Sequence, residues 1–262
     1  VLNLDADGRS NQESNPASWN YGDYWADFLG INWESTGWKD GALFLQNGAK
    51  AIINFPLFSS IGGNPVTRQG CTFELTFKCD NATLEENDII SCFWKNNEGK
   101  DVGLKVTTSY VGVNTGHVTQ YFGDNDTVTE IEDRVGSQYA QGEFYKYTFV
   151  INPNIGKNGL CLGFLNGILS FVSEIPSIFV NADRLPITID STYADVYVES
   201  IKYYNEPFTF DQCVDSFIVD NKDLASTEAA YNANDVLAED SLGRPYVSPA
   251  RLRNAGRGVM II

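Results

Sequence analysis

The 262-residue chain has little of what metal sites and membrane segments need. It contains one histidine and five cysteines, with no C-x-x-C pair, and this composition argues against a zinc site. No apolar run approaches the roughly 18 residues of a membrane-spanning helix, so none is expected. The first residues, Val1 to Asp5, lack the basic start and apolar core of a signal peptide. Met260 is the one methionine, so we expect a piece of a longer polypeptide.

Positive charge is scarce as well. The chain has 18 Lys and Arg against 34 Asp and Glu, which gives a formal net charge of −16. Such a charge repels nucleic-acid phosphates and anionic lipid, so we expect neither nucleic acid nor membrane insertion among its interactions. After Ser241 the balance reverses, with four arginines and no acid, as is typical of a linker that pairs with a neighbouring domain.

Several of the five cysteines lie among apolar, strand-like residues. Their odd number and their apolar surroundings are typical of buried free thiols. This pattern fits a protein that folds in a reducing cytosol, even if it later works outside a cell.

Short alternating runs dominate residues 37 to 205. Leu43 and Leu45 alternate with Phe44 before a polar turn at Gln46–Gly48, and a second alternating run follows; this pattern predicts a β-hairpin. Asn166-Gly167 between two apolar runs is the strongest short hairpin signal. About twelve such strands, with no helix-period segment among them, predict an antiparallel β-sandwich of the jelly-roll type.

The pattern changes after residue 205. Thr209 is suited to cap a helix in which Phe210, Val214 and Phe217 fall at helical spacing. We therefore expect a short helix over residues 206–221 on the edge of the sandwich. The jelly-roll domain is predicted over residues 1–205, with a polar and aromatic segment over 1–36. Residues 222–262 are predicted to form a linker tail that leads to a further domain.

Four segments carry a family resemblance: GRSNQESNPASW from Gly8, GWKDGALFLQNGAKAIINFPLF from Gly37, FLNGILS from Phe164 and DVYVESIKYYNEPFTFDQCVDSFIVDN from Asp195. They resemble the concanavalin A-like, laminin-G-type domains of tailed-bacteriophage virion proteins. The resemblance implies a jelly-roll sandwich in a tail, baseplate or fibre protein, with other virion subunits as partners and a role in attachment. It also implies a chain that folds in the host cytoplasm and acts outside the cell, on the virion. It supplies no catalytic residue.

Aromatic side chains on such a sandwich can bind glycans. A flat ring packs against the C–H face of a sugar, while nearby amides and carboxylates take its hydroxyls. We expect Trp94 to be the main platform, because it ends an apolar strand and enters a polar loop, where sandwiches carry function. The predicted ligand-binding residues are Trp94, Asn96, Asn97, Tyr121 and Tyr139. The other candidate rings are Trp25, Trp33 and Tyr110, whereas Trp38 is expected in the core.

Calcium is the cofactor that the sequence makes worth considering. Asp124 and Asp126 flank Asn125 in a loop-like stretch, and loop oxygens are the ligands that calcium takes. Asp80-Asn81 is the second candidate. Because a turn rich in Asp and Asn is also simply a turn, both interpretations stay open.

Catalysis is the weaker hypothesis. Glycosidases of this fold class need paired carboxylates on one strand face; Glu130 and Glu132 would share a face, but the third acid is missing and Asp133 points the other way. His117, the sole histidine, has no Gly-x-Ser-x-Gly elbow to join. The sequence therefore favours a non-catalytic carbohydrate-binding module for host-surface attachment. A purely structural spacer or decoration domain of the virion is the alternative, and a glycoside hydrolase comes third.

Overall fold

Strands make up most of the secondary structure, in line with the alternating pattern of the sequence. The computed structural model describes residues 2–21, 24–54, 70–95, 101–112, 115–124, 128–132, 138–140, 142–156, 159–174, 186–221, 237–239 and 245–247. These residues contain 19 strands and one α-helix. Every pairing between the strands is antiparallel. The predicted all-β, antiparallel class is confirmed.

The strands, in chain order, are β1 (Leu2–Asp5), β2 (Trp19–Tyr21), β3 (Tyr24–Leu29), β4 (Gly37–Lys39), β5 (Ala42–Leu45), β6 (Lys50–Asn54), β7 (Cys71–Asp80), β8 (Asn87–Lys95), β9 (Asp101–Gly112), β10 (Thr115–Asp124), β11 (Val128–Glu132), β12 (Gln138–Ala140), β13 (Phe144–Asn152), β14 (Leu160–Leu165), β15 (Ile168–Glu174), β16 (Ile187–Asp190), β17 (Asp195–Tyr204), β18 (Leu237–Glu239) and β19 (Pro245–Val247). The helix is α1 (Phe210–Asn221).

Two sheets form the sandwich. Sheet I has the strand order β15-β14-β13-β7-β17-β5-β4, with β1 paired to β17 beside β5. Sheet II has the order β11-β10-β9-β8-β16-β6-β3-β2, with β12 paired to β10. Strands β18 and β19 form a separate two-stranded sheet. Sequential strands lie in different sheets at several points, as jelly-roll sandwiches require.

The hydrophobic core lies between the two sheets. Sheet I contributes Phe73, Leu75 and Phe77 from β7, and sheet II contributes Ile53 from β6 and Ile189 from β16, all essentially inaccessible to solvent. In β6 and β17, buried residues alternate with more exposed neighbours, because successive side chains of a strand point to opposite faces of a sheet. All five cysteines are buried and free, as the sequence predicts.

Two tight hairpins connect neighbouring strands of sheet I. The predicted Asn166-Gly167 turn joins β14 to β15, with φ values of 51° and 71°. Asp40-Gly41 joins β4 to β5 in the same way, with φ values of 54° and 75°. Both pairs of angles are those of a type I′ turn, which Asn-Gly and Asp-Gly favour. The second hairpin was detectable from the Asp-Gly pair, but the sequence interpretation missed it.

The hairpin predicted across Gln46–Gly48 is wrong. Strand β5 pairs with β4 and β17 in sheet I, whereas β6 pairs with β3 and β16 in sheet II. The turn therefore carries the chain from one sheet to the other. The amide of Gly48 donates to the carbonyl of Ser191 at 3.0 Å, which ties this crossing to the loop before β17. Alternation alone cannot distinguish a hairpin within one sheet from a crossing between the two sheets. In both cases each strand directs one face into the core.

Helix α1 begins after the predicted cap and packs on sheet I. Thr209 caps it: its Oγ1 accepts from the Gln212 amide at 3.2 Å, and Gln212 Oε1 accepts from the Thr209 amide at 2.8 Å, which is a capping box. The helix covers part of the outer face of sheet I, where Cys213 packs in an apolar cluster with Val150 of β13 and Phe164 of β14, the strands next to the edge strand β15.

A buried ion pair lies beneath this helix. Lys146 Nζ of β13 is 2.9 Å from Glu74 Oε1 of β7, and the two side chains are only 3% and 1% exposed. Ser216 of α1 completes the contact: its hydroxyl accepts from Lys146 Nζ at 2.7 Å and donates to Glu74 Oε2 at 3.2 Å. The hydroxyls of Thr148 and Tyr204 also donate to Glu74. The charges are thus paired and hydrogen-bonded, as burial requires.

Candidate functional site

The four tryptophans that the sequence offers as platforms fall into different environments. Trp38 is 5% exposed and lies in the core, as expected. Trp33 is partly buried and packs against that core. Trp25 stands out, with 43% of its surface exposed. Trp94 lies near the end of β8, and its side chain falls outside the described part of the chain.

Trp25 lies on the outer face of sheet II, flanked by amides on both neighbouring strands. Its partner in register on β2 is Asn20, and its partner on β6 is Asn54. Residues that face each other in antiparallel strands have Cβ atoms about 5 Å apart, so both amides border the indole ring. Asp27 is the next residue of β3 on the same face, and it is also exposed. We call Asn20, Trp25, Asp27 and Asn54 the Trp25 patch.

Hydrogen bonds fix the ring and orient the groups around it. The Trp25 Nε1–H donates to Asp27 Oδ2 at 3.3 Å, which restrains the indole beside Asp27 while 43% of the tryptophan stays exposed. The Asn20 Nδ2 donates to Ser18 Oγ at 3.2 Å, which leaves the Asn20 Oδ1 as an acceptor beside the ring. The patch therefore combines a flat apolar surface with acceptors placed around it, the combination that sugar recognition uses.

Several other rings of the amino-terminal segment pack against one another and against the core. Trp19 packs edge-on against Trp38, with ring centroids 5.4 Å apart, and Phe28 contacts both. The Arg9 guanidinium lies 4.3 Å above the Trp38 ring. Asn11 holds the segment in place: its Nδ2 donates to the carbonyl of Thr36, and its Oδ1 accepts from the Trp38 amide at 2.7 Å. These contacts account for much of the GRSNQESNP segment without a ligand.

Two lysines on the described outer face of sheet II are paired with carboxylates. Lys50 forms an ion pair with Asp190, and Lys105 Nζ is 3.8 Å from Asp88 Oδ1. Burial raises the pKa of the Asp88 carboxyl above its ordinary value, although Lys105 opposes that shift. Both lysines are thus occupied by carboxylates along the sheet, and neither belongs to the Trp25 patch.

The Asp80-Asn81 pair, the second candidate for calcium, takes part in a loop contact. Asn81 Nδ2 donates to Asp195 Oδ2 at 2.7 Å, and Gln46 Nε2 donates to the same oxygen at 3.3 Å. Lys78 Nζ is 3.8 Å from Asp80 Oδ2. Amide and ammonium donors therefore occupy these carboxylates. Among the described residues, no group of three or more His, Cys, Asp or Glu side chains could hold a metal ion.

The backbone places the main predicted residues along strands β8 to β12 of sheet II, toward opposite ends of β10. Trp94 and Asp124 are both opposite Val102 in register, on the two strands that flank β9, so they lie level and about 10 Å apart. Tyr139 is opposite Gly116, toward the other end of β10. Tyr121 is opposite Lys105 and Glu130, between these ends. The side chains of these predicted residues are not described, and Asn96, Asn97 and Asp126 lie outside the described residues altogether.

The residues considered for catalysis lie on β10 and β11 of the same sheet. Glu130 and Glu132 lie on β11, opposite Tyr121 and Thr119, and His117 lies on β10, opposite Ser109. Asp133 lies outside the described residues. The one helix of the described part is too short to cross a membrane.

No protein-family model and no curated protein sequence matches the chain. Solved structures do share its fold. The receptor-binding domain of botulinum neurotoxin mosaic serotype C/D superposes with a TM-score of 0.54 at 13% identity, over 94% of this chain and 54% of that one. A structure of botulinum neurotoxin type C, whose cell entry depends on interaction with two ganglioside molecules, gives 0.53 at 10% identity, over 93% and 54%. The binding domain of botulinum neurotoxin DC in complex with rat synaptotagmin II gives 0.52 at 10% identity, over 94% and 54%.

These matches define the class of protein. The chain is an all-β, antiparallel sandwich of the jelly-roll type, with the fold found in the receptor-binding domains of these toxins. It spans about half the length of the structures that it matches. At such low identity the likeness concerns the fold alone, and it does not bear on the resemblance to virion proteins.

Proposed function

We propose that this chain is a non-catalytic carbohydrate-binding module for host-surface attachment, part of a tail or fibre protein of a tailed-bacteriophage virion. The Trp25 patch is the observation that carries the binding role. An exposed apolar surface rimmed by polar groups is a feature of ligand-binding sites, and on β3 it includes Trp25 and Leu29, which are 43% and 52% exposed. The ring of Trp25 is held by Asp27 and bordered by two amides.

The fold supports the same role. A sandwich with this fold occurs in botulinum neurotoxin type C, a protein whose cell entry depends on two ganglioside molecules. The virion part of the proposal is supported by the resemblance of GRSNQESNPASW and the three other segments to phage domains. The five buried, free cysteines are consistent with folding in host cytosol before display outside the cell.

The test is a binding assay of the full 262-residue chain against a glycan array and purified host cell wall. For a glycan that binds, we expect Trp25→Ala to weaken affinity about thirtyfold, the effect of losing an aromatic contact of about 2 kcal/mol. Trp25→Phe should retain part of the affinity, because it keeps a flat ring. Leu29→Ala is the matched control: Leu29 is 52% exposed on the same face of β3 but has no ring.

Other outcomes assign other functions. Loss of binding with Trp94→Ala but not with Trp25→Ala would move the site to the end of β8, and sensitivity to a chelator would add calcium through Asp124 and Asp126. Release of new reducing ends from the bound glycan would make the chain a glycoside hydrolase. Absence of binding by a folded chain would leave a structural spacer of the virion.

A further inference from the structure

The charge around the exposed ring limits what can bind there. In the Trp25 patch the one ionisable group is Asp27, and the other polar side chains are the neutral amides of Asn20 and Asn54. Lys50 and Lys105, cations on the described outer face of sheet II, are both paired with carboxylates. The Trp25 patch itself therefore contains no cation that could pair with the acidic group of a carboxylated or sulfated sugar.

Asp27 is close enough to select against an anion. Its Oδ2 lies 3.3 Å from the indole nitrogen of Trp25, so an acidic group on a sugar stacked over that ring would meet a like charge at short range. Two exposed like charges about 4 Å apart in water repel by about 1 kcal/mol before screening by salt. The net charge of −16 adds a repulsion of the same sign over the whole molecule.

The same group favours a neutral ligand. An ionised carboxylate is a pure acceptor with room for several donors, and its hydrogen bonds to hydroxyls are stronger than those between neutral groups. Oδ2 of Asp27 accepts from the indole, and the residue is exposed on the same face as Trp25. Asn20 offers a second acceptor at Oδ1 because its Nδ2 already donates to Ser18. A sugar that presents several hydroxyls satisfies this arrangement.

We propose that the Trp25 patch selects neutral, hydroxyl-rich sugar residues and discriminates against glycans that carry carboxylate or sulfate at the stacked residue. This inference rests on the proposed carbohydrate-binding function and narrows its ligand. Asp27 is the residue that determines specificity, and Trp25 supplies the platform for either class.

The experiment compares matched glycans on the full chain: an oligosaccharide that ends in galactose, the same one capped with sialic acid, and the same one sulfated. We expect the neutral form to bind at least about fivefold more tightly than either anionic form at low salt. Added salt should leave neutral binding almost unchanged, because no ion pair forms with it. Trp25→Ala should weaken whatever binding is seen.

Asp27→Asn is the decisive variant, because the new amide oxygen still accepts the bond from Trp25 Nε1. It should narrow the neutral-to-anionic ratio to within about threefold by removing the like charge. Asp215→Asn makes the same change in net charge on α1, which covers the other sheet, and should leave the ratio unchanged. Equal or tighter Trp25-dependent binding of the anionic forms, or an unchanged ratio in Asp27→Asn, overturns this inference while the binding function stands. No binding of any glycan overturns both.

Discussion

Gly37 lies where the amino-terminal segment meets the sandwich most closely. Its φ is +90°, and a Cβ built on it would lie 2.5 Å from Cε3 of Trp33 and 2.6 Å from Oδ1 of Asn11. Asn11 is also the residue that binds the Trp38 amide. A side chain at this position would therefore disturb the contact between the segment and β4.

We expect Gly37→Ala to lower the free energy of unfolding by about 2–5 kcal/mol. The left-handed backbone angle contributes about 1–2 kcal/mol, and the steric overlap contributes about 1–3 kcal/mol. Gly41→Ala is the matched control, since Gly41 has a φ of +75° and no atom within 4 Å of its Cβ position. It should show only the backbone effect. Urea unfolding measures the free energy of unfolding of both variants. Equal decreases would mean that Trp33 and Asn11 move aside for the added methyl group at no further cost.

At the scale of elements, α1 and sheet I are joined through the Glu74–Lys146 pair. Lys146→Met leaves the Glu74 carboxylate buried without its cation, so we expect it to lower the free energy of unfolding by about 3–5 kcal/mol. The double variant Glu74→Met/Lys146→Met should recover part of that loss, because no charge then stays buried. Denaturant unfolding followed by circular dichroism gives these values.

A second ion pair provides the comparison. Lys105→Met breaks the pair with Asp88, in which the side chains are 26% and 35% exposed and the charged atoms lie 3.8 Å apart, and it should cost no more than about 1 kcal/mol. If Lys146→Met proved no more harmful than Lys105→Met, the pair beneath α1 would not be stabilising the docked helix.

At the scale of the whole molecule, burial protects every thiol. Burial raises the pKa of Cys92 and of Cys213 to about 12, and it also raises the pKa of Cys79 and Cys161. The thiolate is the reactive form, so it is almost absent in the folded state at pH 8. We expect none of the five thiols of the native chain to react with a disulfide reagent at pH 8, and all five to react in denaturant.

An introduced thiol calibrates that measurement. Ser14 is exposed, and Ser14→Cys should add one rapidly reacting group while the other five stay protected. Rapid native reaction of any of the original five would show that the sandwich opens around it. Stability should also fall as the pH rises above about 9, because the thiols of the unfolded chain ionise there while those of the folded chain do not.

Local sequence determined the elements of this protein. The type I′ turn at Asn166-Gly167 follows from two residues that tolerate a left-handed backbone, and the start of α1 follows from Thr209 and Gln212, three positions apart. These signals are strong because all the interacting groups are near neighbours in the chain. The free, buried state of the thiols was predictable for a similar reason, from the apolar residues beside them.

Only the tertiary structure shows which elements pack together and which tryptophan is exposed as a candidate ligand platform. Alternation predicts, within β5 and within β6, which side chains point to the same side of the strand. It does not predict that the two strands belong to different sheets. The helix covers a sheet face because Val150 and Phe164 leave an apolar surface there. Trp25 and Trp38 are equally aromatic in the sequence, but β2 and β6 place two amides beside the first, and Trp19 and Arg9 cover the second. Exposure and pairing depend on contacts between residues far apart in the chain, and no local pattern encodes them.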